Sequence, residues 1–359
     1  MELLEYFRES TPVEDRYHPR KLSLPEDGSF ILHGVRGSGK TALVLDYISS
    51  LESETLYIDC QDPIFAMEDV DISGLERFIR EEGIETLVLD HWYDSFLDDI
   101  PKVPRLILVS RIVPESFEMD RYELFPLDYE EFISFDRSVS ASQSFNRFVK
   151  AGSLPGIAKA PVSSSSLHLR SFFYEKFDES ESRLLLVLSR FQGRRVTAHQ
   201  IYTYAKEYFR ISKDSTYSIL SHFSEEGVIH FLKDFKNRSG KKMYICDFVL
   251  TKYLNKIQPF PVTFDSMVVL AMMKHGIDFV TLENLGYLAN GKELVIPSPF
   301  DAEVQSWKKI QERVVEYKEY GIHTISIVTV SSQYSFRVQD ILCEALPFYE
   351  WSVLNEDEK

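Results

Sequence analysis

Gly34-Val35-Arg36-Gly37-Ser38-Gly39-Lys40-Thr41 fits G-x-x-x-x-G-K-[ST] without a mismatch. Glycines at 34, 37 and 39 let the backbone curl and turn its N–H groups toward an anion. A helix starting at Lys40, Thr41 and Ala42 would add the partial positive charge of its N-terminus. In such a loop the lysine reaches the β- and γ-phosphates and the threonine hydroxyl is a magnesium ligand. The chemistry expected is binding of a nucleoside triphosphate, with ATP and Mg2+ as the ligands. The alternative is a Gly/Ser-rich turn that merely precedes a helix.

The elements needed to hold that loop can be read on both sides of it. Phe30-Ile31-Leu32-His33 enters as a strand, and Ala42 to Ile48 leaves as a helix. This strand–loop–helix setting separates a phosphate loop from a chance match. Further along, Thr86-Leu87-Val88-Leu89-Asp90 is an aliphatic strand closing on an aspartate, the form of a Walker B motif. Asp90 would share the magnesium shell with Thr41, although a buried aspartate after a strand can also be a cap. Arg105-Leu106-Ile107-Leu108-Val109 ends at Ser110, a candidate polar sensor of the γ-phosphate. Lys40, Asp90 and Ser110 are therefore the candidate catalytic residues. Strands alternating with helices predict a doubly wound parallel sheet, binding ligands at the strands' carboxyl ends.

His91 follows Asp90, where many ATP-hydrolysing proteins carry a glutamate that orients the attacking water. Asp94 would substitute only if the backbone turned it inward. Turnover is expected to be slow, absent, or dependent on another group. Arg36 and Arg111 are arginine-finger candidates by position alone.

With 359 residues, 44% apolar and 13% aromatic, the chain can support two or three packed domains. Its start lacks a basic, apolar leader, and no apolar run approaches the ~20 residues a membrane span needs. Three scattered cysteines, Cys60, Cys246 and Cys343, offer neither a disulfide framework nor metal spacing. A cytoplasmic setting, with no membrane partner, is the expectation. The net charge of −16 argues against a uniformly basic, nucleic-acid-coating surface.

Residues 183–246 reverse that balance, with 12 Lys and Arg against 5 acids. Their pattern reads as three helices, the third capped by Ser212, followed by a hairpin over 228–232 and 242–246. Three helices and a hairpin make a winged helix. Lys233, Lys236, Arg238, Lys241 and Lys242 lie on or beside the hairpin tip, a plausible footprint for duplex DNA. Winged helices also pack against proteins, so a protein partner is the other reading. The Ser163-Ser164-Ser165-Ser166 run is the best linker candidate.

Phe125-Pro126-Leu127-Asp128-Tyr129-Glu130-Glu131-Phe132 and Gly152-Ser153-Leu154-Pro155 carry a family resemblance. The chain resembles prokaryotic AAA-type P-loop ATPases, relatives of the archaeal type, with a winged helix and a C-terminal restriction-endonuclease-like domain. The resemblance implies an AAA-type ATPase domain with a helical extension over 1–162 and a winged-helix domain over 163–258. It also implies an α/β nuclease-like domain over 259–359. There Asp278, within Gly276-Ile277-Asp278-Phe279-Val280, matches a metal-binding aspartate. The next strand should supply glutamate-x-lysine but reads Glu293-Leu294-Val295-Ile296-Pro297-Ser298-Pro299-Phe300. A lone carboxylate does not organise metal-assisted hydrolysis, so nuclease activity is not expected. A helix over 303–320 and a strand over 324–330 would complete the unit.

Overall fold

A computed structural model describes residues 2–12, 17–67, 70–97, 99–114, 117–136, 140–236 and 239–354. The chain forms two compact units, Met1–Pro126 and Leu127–Lys359.

In the first unit the elements are α1 (Glu2–Glu9), β1 (Phe30–His33), α2 (Lys40–Ser49), β2 (Thr55–Asp59), α3 (Ile72–Glu82), β3 (Thr86–Asp90), β4 (Arg105–Val109) and β5 (Asp120–Glu123). The strands form a parallel sheet in the order β2-β3-β4-β1-β5. Their near-continuous apolar runs follow from burial on both faces. Ile31, Ile58, Leu87, Leu89 and Leu108 face one side, where α1 and α3 contribute Leu4, Phe7, Leu75 and Phe78. Phe30, Leu32, Tyr57, Val88 and Ile107 face the other, packed by Leu43, Val44 and Ile48 of α2. The α/β parallel sheet expected from the alternating pattern is present. Edge strand β5, polar and short, carries no apolar run to announce it.

The second unit begins with α4 (Tyr129–Phe135), α5 (Ala141–Ala151), α6 (Pro155–Ala158) and α7 (Ser165–Lys176). The serine run at 163–166 is not an extended linker: it passes from a 3₁₀ turn, Val162–Ser164, directly into α7. Next come α8 (Glu179–Leu188), β6 (Arg195–Val196), α9 (Ala198–Ala205), α10 (Lys213–Glu226), β7 (Ile229–Leu232) and β8 (Lys241–Ile245). Ser212 does cap α10, accepting from Ser215 N–H at 3.0 Å. The strands pair antiparallel in the order β6-β8-β7.

The rest comprises α11 (Phe248–Leu254), α12 (Phe260–Lys274), β9 (Phe279–Leu282), β10 (Gly286–Ala289), β11 (Glu293–Pro297), α13 (Glu303–Glu312), α14 (Val314–Glu319), β12 (Thr324–Thr329), β13 (Tyr334–Val338), β14 (Ile341–Pro347) and α15 (Phe348–Leu354). The sheet order is β13-β14-β12-β11-β10-β9. This corrects the expected strand succession. The strand after β9 is β10, not the 293–297 segment, so Asp278 stands just before an edge strand and is exposed. The expected single helix over 303–320 breaks at Arg313 into α13 and α14.

Aromatic packing fixes the start of this unit. Tyr129 and Phe132 of α4 meet Phe148 of α5 at ring separations of 5.4 and 5.0 Å, and Phe148 meets Phe248 at 5.2 Å. Asp247 is fully buried and accepts from Ser153 N–H and Val249 N–H, both at 2.6 Å. Gly152 has no alternative there: φ is +81°, and a Cβ would stand 2.8 Å from both Asp247 oxygens.

Candidate functional site

The phosphate-loop candidate runs from the end of β1 to the first turn of α2. Gly34 (φ +141°) passes so close to β5's exit that a Cβ would stand 2.4 Å from the Leu124 carbonyl oxygen. Gly37 and Gly39 take φ of 82° and 97°, conformations that turn successive amides to one side. No side chain caps the start of α2, which leaves its first-turn amides for an anion. Lys40 Nζ donates to the Gly34 carbonyl at 2.7 Å and the Val35 carbonyl at 3.2 Å, inside the curl of the loop. Thr41 and Ala42 are half-buried at the head of α2, while Val35, Arg36 and Ser38 are buried. Arg36 is only 3% exposed, so its side chain belongs to the interior of its own unit.

Sheet order gives Asp90 and Ser110 their places. β4 lies between β1 and β3, so Ser110 at the end of β4 stands between the loop strand and the Asp90 strand. Asp90 is fully buried. It accepts from Tyr57 Oη at 2.8 Å and from its neighbour His91 N–H at 2.7 Å. Burial and the adjacent Asp90 charge push the Tyr57 hydroxyl far up, keeping it a donor. Ser110 Oγ and Ser38 Oγ are buried and make no hydrogen bond among the described residues. Buried hydroxyls normally find partners, and two orphans beside a phosphate loop fit a polar ligand. His33, at the end of β1, is lowered to about 4 by burial, Lys40 and Arg121, and is therefore neutral.

Two further groups were missed in the sequence. Arg20, in the lead-in to β1, donates to the Ser38 carbonyl and to the Phe125 carbonyl, each at 2.7 Å, tying the loop to the chain beyond β5. Asp59 closes β2 directly opposite Asp90 in register. His91 Nδ1 is 2.8 Å from Asp59 Oδ1, and His91 adopts φ +54°. Asp94, by contrast, is exposed and does not turn inward. Arg111 is half-buried.

The basic hairpin in the second unit is less uniform than its sequence. Lys233, Lys236 and Lys241 are exposed; Arg238 lies outside the described residues. Lys242 turns inward, donating to Tyr287 Oη at 2.5 Å and Asp265 Oδ2 at 3.1 Å, because β8 lies over α12 and β10. It is not a tip residue. The stretch after β7 also runs beside β9: Thr281 N–H donates to the Lys233 carbonyl at 2.9 Å, and Phe235 N–H to the Thr281 carbonyl at 3.1 Å. Phe235 and Tyr320 meet edge to face at 5.3 Å, with Lys236 Nζ 5.5 Å from the Tyr320 ring.

Among the described residues no cluster of three or more His, Cys, Asp or Glu could hold a metal ion alone. Magnesium at a phosphate loop is held largely by the nucleotide, so few protein ligands suffice. No helix among the described residues is long and apolar enough to cross a membrane. Cys60, Cys246 and Cys343 are buried, and none of them is in a disulfide.

A family model described as AAA domain matches residues 26–118. No curated protein matches the chain. Among solved structures it is similar to the Walker-type ATPase of Pyrococcus abyssi, at 13% identity over 64% of this chain and 91% of that one (TM-score 0.44). It is also similar to a signal transduction ATPase with numerous domains from Pyrococcus horikoshii, which carries a tetratricopeptide repeat sensor. That match has 15% identity over 74% of this chain and 47% of that one (TM-score 0.32). The span matched by the AAA-domain model contains the Gly34–Thr41 loop, Asp90 and Ser110, so this part of the chain is similar to an AAA domain.

Proposed function

We propose that this is a cytoplasmic ATP-binding protein and slow ATPase whose nucleotide state acts as a switch on the rest of the chain. The observation carrying the reading is the uncapped Gly34–Thr41 loop, with buried Asp90 and the orphaned Ser110 hydroxyl on neighbouring strands. The amides from Gly34 to Ala42 and Lys40 would cradle the phosphates. Thr41 and Asp90 would hold Mg2+, which neutralises phosphate charge when bound. Lys40 would exchange its two carbonyl partners for phosphate oxygens.

The reading extends to three functional parts, an ATPase domain with its helical extension (1–162), a winged helix (163–258) and a nuclease-like α/β domain without nuclease chemistry (259–359). Helices α8, α9 and α10 with the β6-β8-β7 sheet support the second part. The mixed sheet following α12, with Asp278 exposed at its edge, supports the third. Duplex DNA at Lys233, Lys236, Arg238 and Lys241 remains the proposed wing partner. A protein-packing role is the second reading, favoured by the Lys233–Lys236 stretch lying along Thr281 and Tyr320.

Lys40→Ala tests the core of this reading. Calorimetry should show loss of magnesium-dependent ATP binding while circular dichroism stays native. The lysine's two hydrogen bonds to loop carbonyls contribute roughly 1–2 kcal/mol to folding. Undiminished ATP affinity in the folded variant would sink the phosphate-loop assignment.

A further inference from the structure

We infer that Arg20 is a positioning residue for the phosphate loop, aiming the Gly39 amide at the triphosphate by holding the Ser38 carbonyl. The inference rests on the ATP-binding reading above and names a residue outside the Gly34–Thr41 motif on which that binding depends. Arg20 lies in the lead-in to β1, 18 residues before Ser38, and is half-buried. Its Nη1 donates to the Ser38 carbonyl and its Nη2 to the Phe125 carbonyl, each at 2.7 Å. A guanidinium is a planar fork whose donors keep a fixed spacing, so binding two carbonyls at once sets the distance between them. The Phe125 end of this clamp is itself fixed. Leu124 N–H donates to the His33 carbonyl at 2.8 Å, β5 pairs with β1 as far as Glu123 and His33, and Gly34 passes against the Leu124 carbonyl. The loop is thereby anchored to the end of a strand.

The peptide that Arg20 grips is the one that matters to an anion. In a planar trans peptide the carbonyl and the following N–H point in opposite directions. Fixing the Ser38 carbonyl on Arg20 therefore turns the Gly39 N–H away from Arg20. Gly39 has a φ of 97° and stands at the head of α2 with no side-chain cap. Its amide and those of the first turn are the donors that a phosphate would meet. The Ser38 hydroxyl is buried without a hydrogen-bond partner among the described residues. It is carried by the same clamped residue and is a second, independent sign of a polar ligand there. The peptides of Gly37-Ser38-Gly39, flanked by glycine on both sides, have little intrinsic reason to keep one orientation. Without the clamp this stretch would become ordered only as phosphate arrived, and the entropy of that ordering would be subtracted from affinity.

The test uses the full chain, calorimetric titration with magnesium-ATP and with magnesium tripolyphosphate, circular dichroism, and the ¹H–¹⁵N resonance of the Gly39 amide. Arg20→Gln keeps a polar side chain but cannot span both carbonyls. It should stay folded and weaken ATP and tripolyphosphate alike, by a factor of about 10 to 100. A loss shared by tripolyphosphate places the effect at the phosphates, which a merely structural role of the lead-in would not do. Arg20→Lys, whose ammonium can hold one carbonyl but lacks the fork, should fall between the two. In the unsubstituted protein the Gly39 amide proton should move downfield when magnesium-ATP binds, a readout independent of how any variant folds. Wild-type ATP affinity in folded Arg20→Gln, a loss for ATP with none for tripolyphosphate, or a Gly39 amide that bound ATP leaves unmoved would each overturn the positioning role. Failure of the wild-type chain to bind ATP would instead remove the nucleotide reading on which that role stands.

Discussion

Lys242 Nζ lies 2.5 Å from the Tyr287 hydroxyl, joining a lysine of β8 to a tyrosine of β10 beneath it. Tyr244 and Tyr287 both donate to Asp265 of α12, the latter at 2.5 Å. Burial and the Asp265 charge hold both tyrosine hydroxyls well above their ordinary range. One lysine, two tyrosines and one carboxylate thus satisfy each other between the three-stranded sheet and the six-stranded one.

Neighbouring lysines should therefore behave differently. Lys242→Ala leaves Asp265 and the tyrosines short of a donor and should cost roughly 1–3 kcal/mol in urea unfolding. Lys241→Ala changes an exposed side chain and should stay within about 0.5 kcal/mol. Equal effects at both positions would mean that Lys242 does not close the cluster.

Acid should weaken the second unit through His230. Burial in the β7–β8 hairpin lowers its folded pKa to about 4 from an ordinary 6.5. Between those values the unfolded chain takes up a proton that the folded chain refuses. Stability is therefore fully present above pH 6.5 and declines as pH falls toward 4. The ring is half-buried, so the loss from this group is roughly 1–3 kcal/mol. Chemical denaturation at pH 7 and 4.5 should show a shallower decline in His230→Gln than in wild type. Identical declines would assign the acid sensitivity to other groups.

The parts legible in the sequence were those governed by local chemistry. Gly34 to Thr41 announces its own conformation, and β1, β3 and β4 show the unbroken apolar runs that two-sided burial demands. Relations across strands were not legible. Nothing in the order of residues says that Asp59 will face Asp90, since the pairing comes from the sheet register. Arg20 reaches the loop from 18 residues away. The strand β10 did have a signal: Asn290-Gly291, with φ of 49° and 67°, begins the three-residue hairpin connection, Asn290 to Lys292, that joins it to β11. The family-like Asp128–Phe132 stretch does structural work. Asp128 and Glu131 form a reciprocal cap for α4, and Lys274 pairs with Glu131.

Purified protein should leave linear and supercoiled DNA intact with magnesium or manganese. Asp278 is exposed ahead of an edge strand, and the end of β11 and the residues just after it offer Pro297 and Pro299 where an acid and a lysine would be needed. Gel analysis over a long incubation suffices. Cleavage that vanishes in Asp278→Ala would show that metal ligands converge there after all.

The wing poses the sharpest choice between partners. Lys233, Lys236 and Lys241 are exposed and close together in the chain, within a basic stretch of an acidic protein. If they meet DNA phosphates, each contact releases counterions, and log affinity should fall with log salt by about 0.9 per phosphate neutralised. Reversing all three to glutamate should then weaken binding to every duplex sequence alike and flatten the salt slope by about 3 contacts' worth. ATP affinity should be unchanged, because the phosphate loop belongs to the other compact unit. Folding should also be unchanged, since these residues, unlike Lys242, are not part of the Asp265 cluster. Lys236 already lies against the Tyr320 ring, and the Lys233 carbonyl already holds Thr281. A wing so engaged is partly satisfied without nucleic acid. Absence of duplex retention at low salt, with and without ATP, would accordingly make protein packing the wing's purpose, and the triple reversal would then act on thermal stability instead.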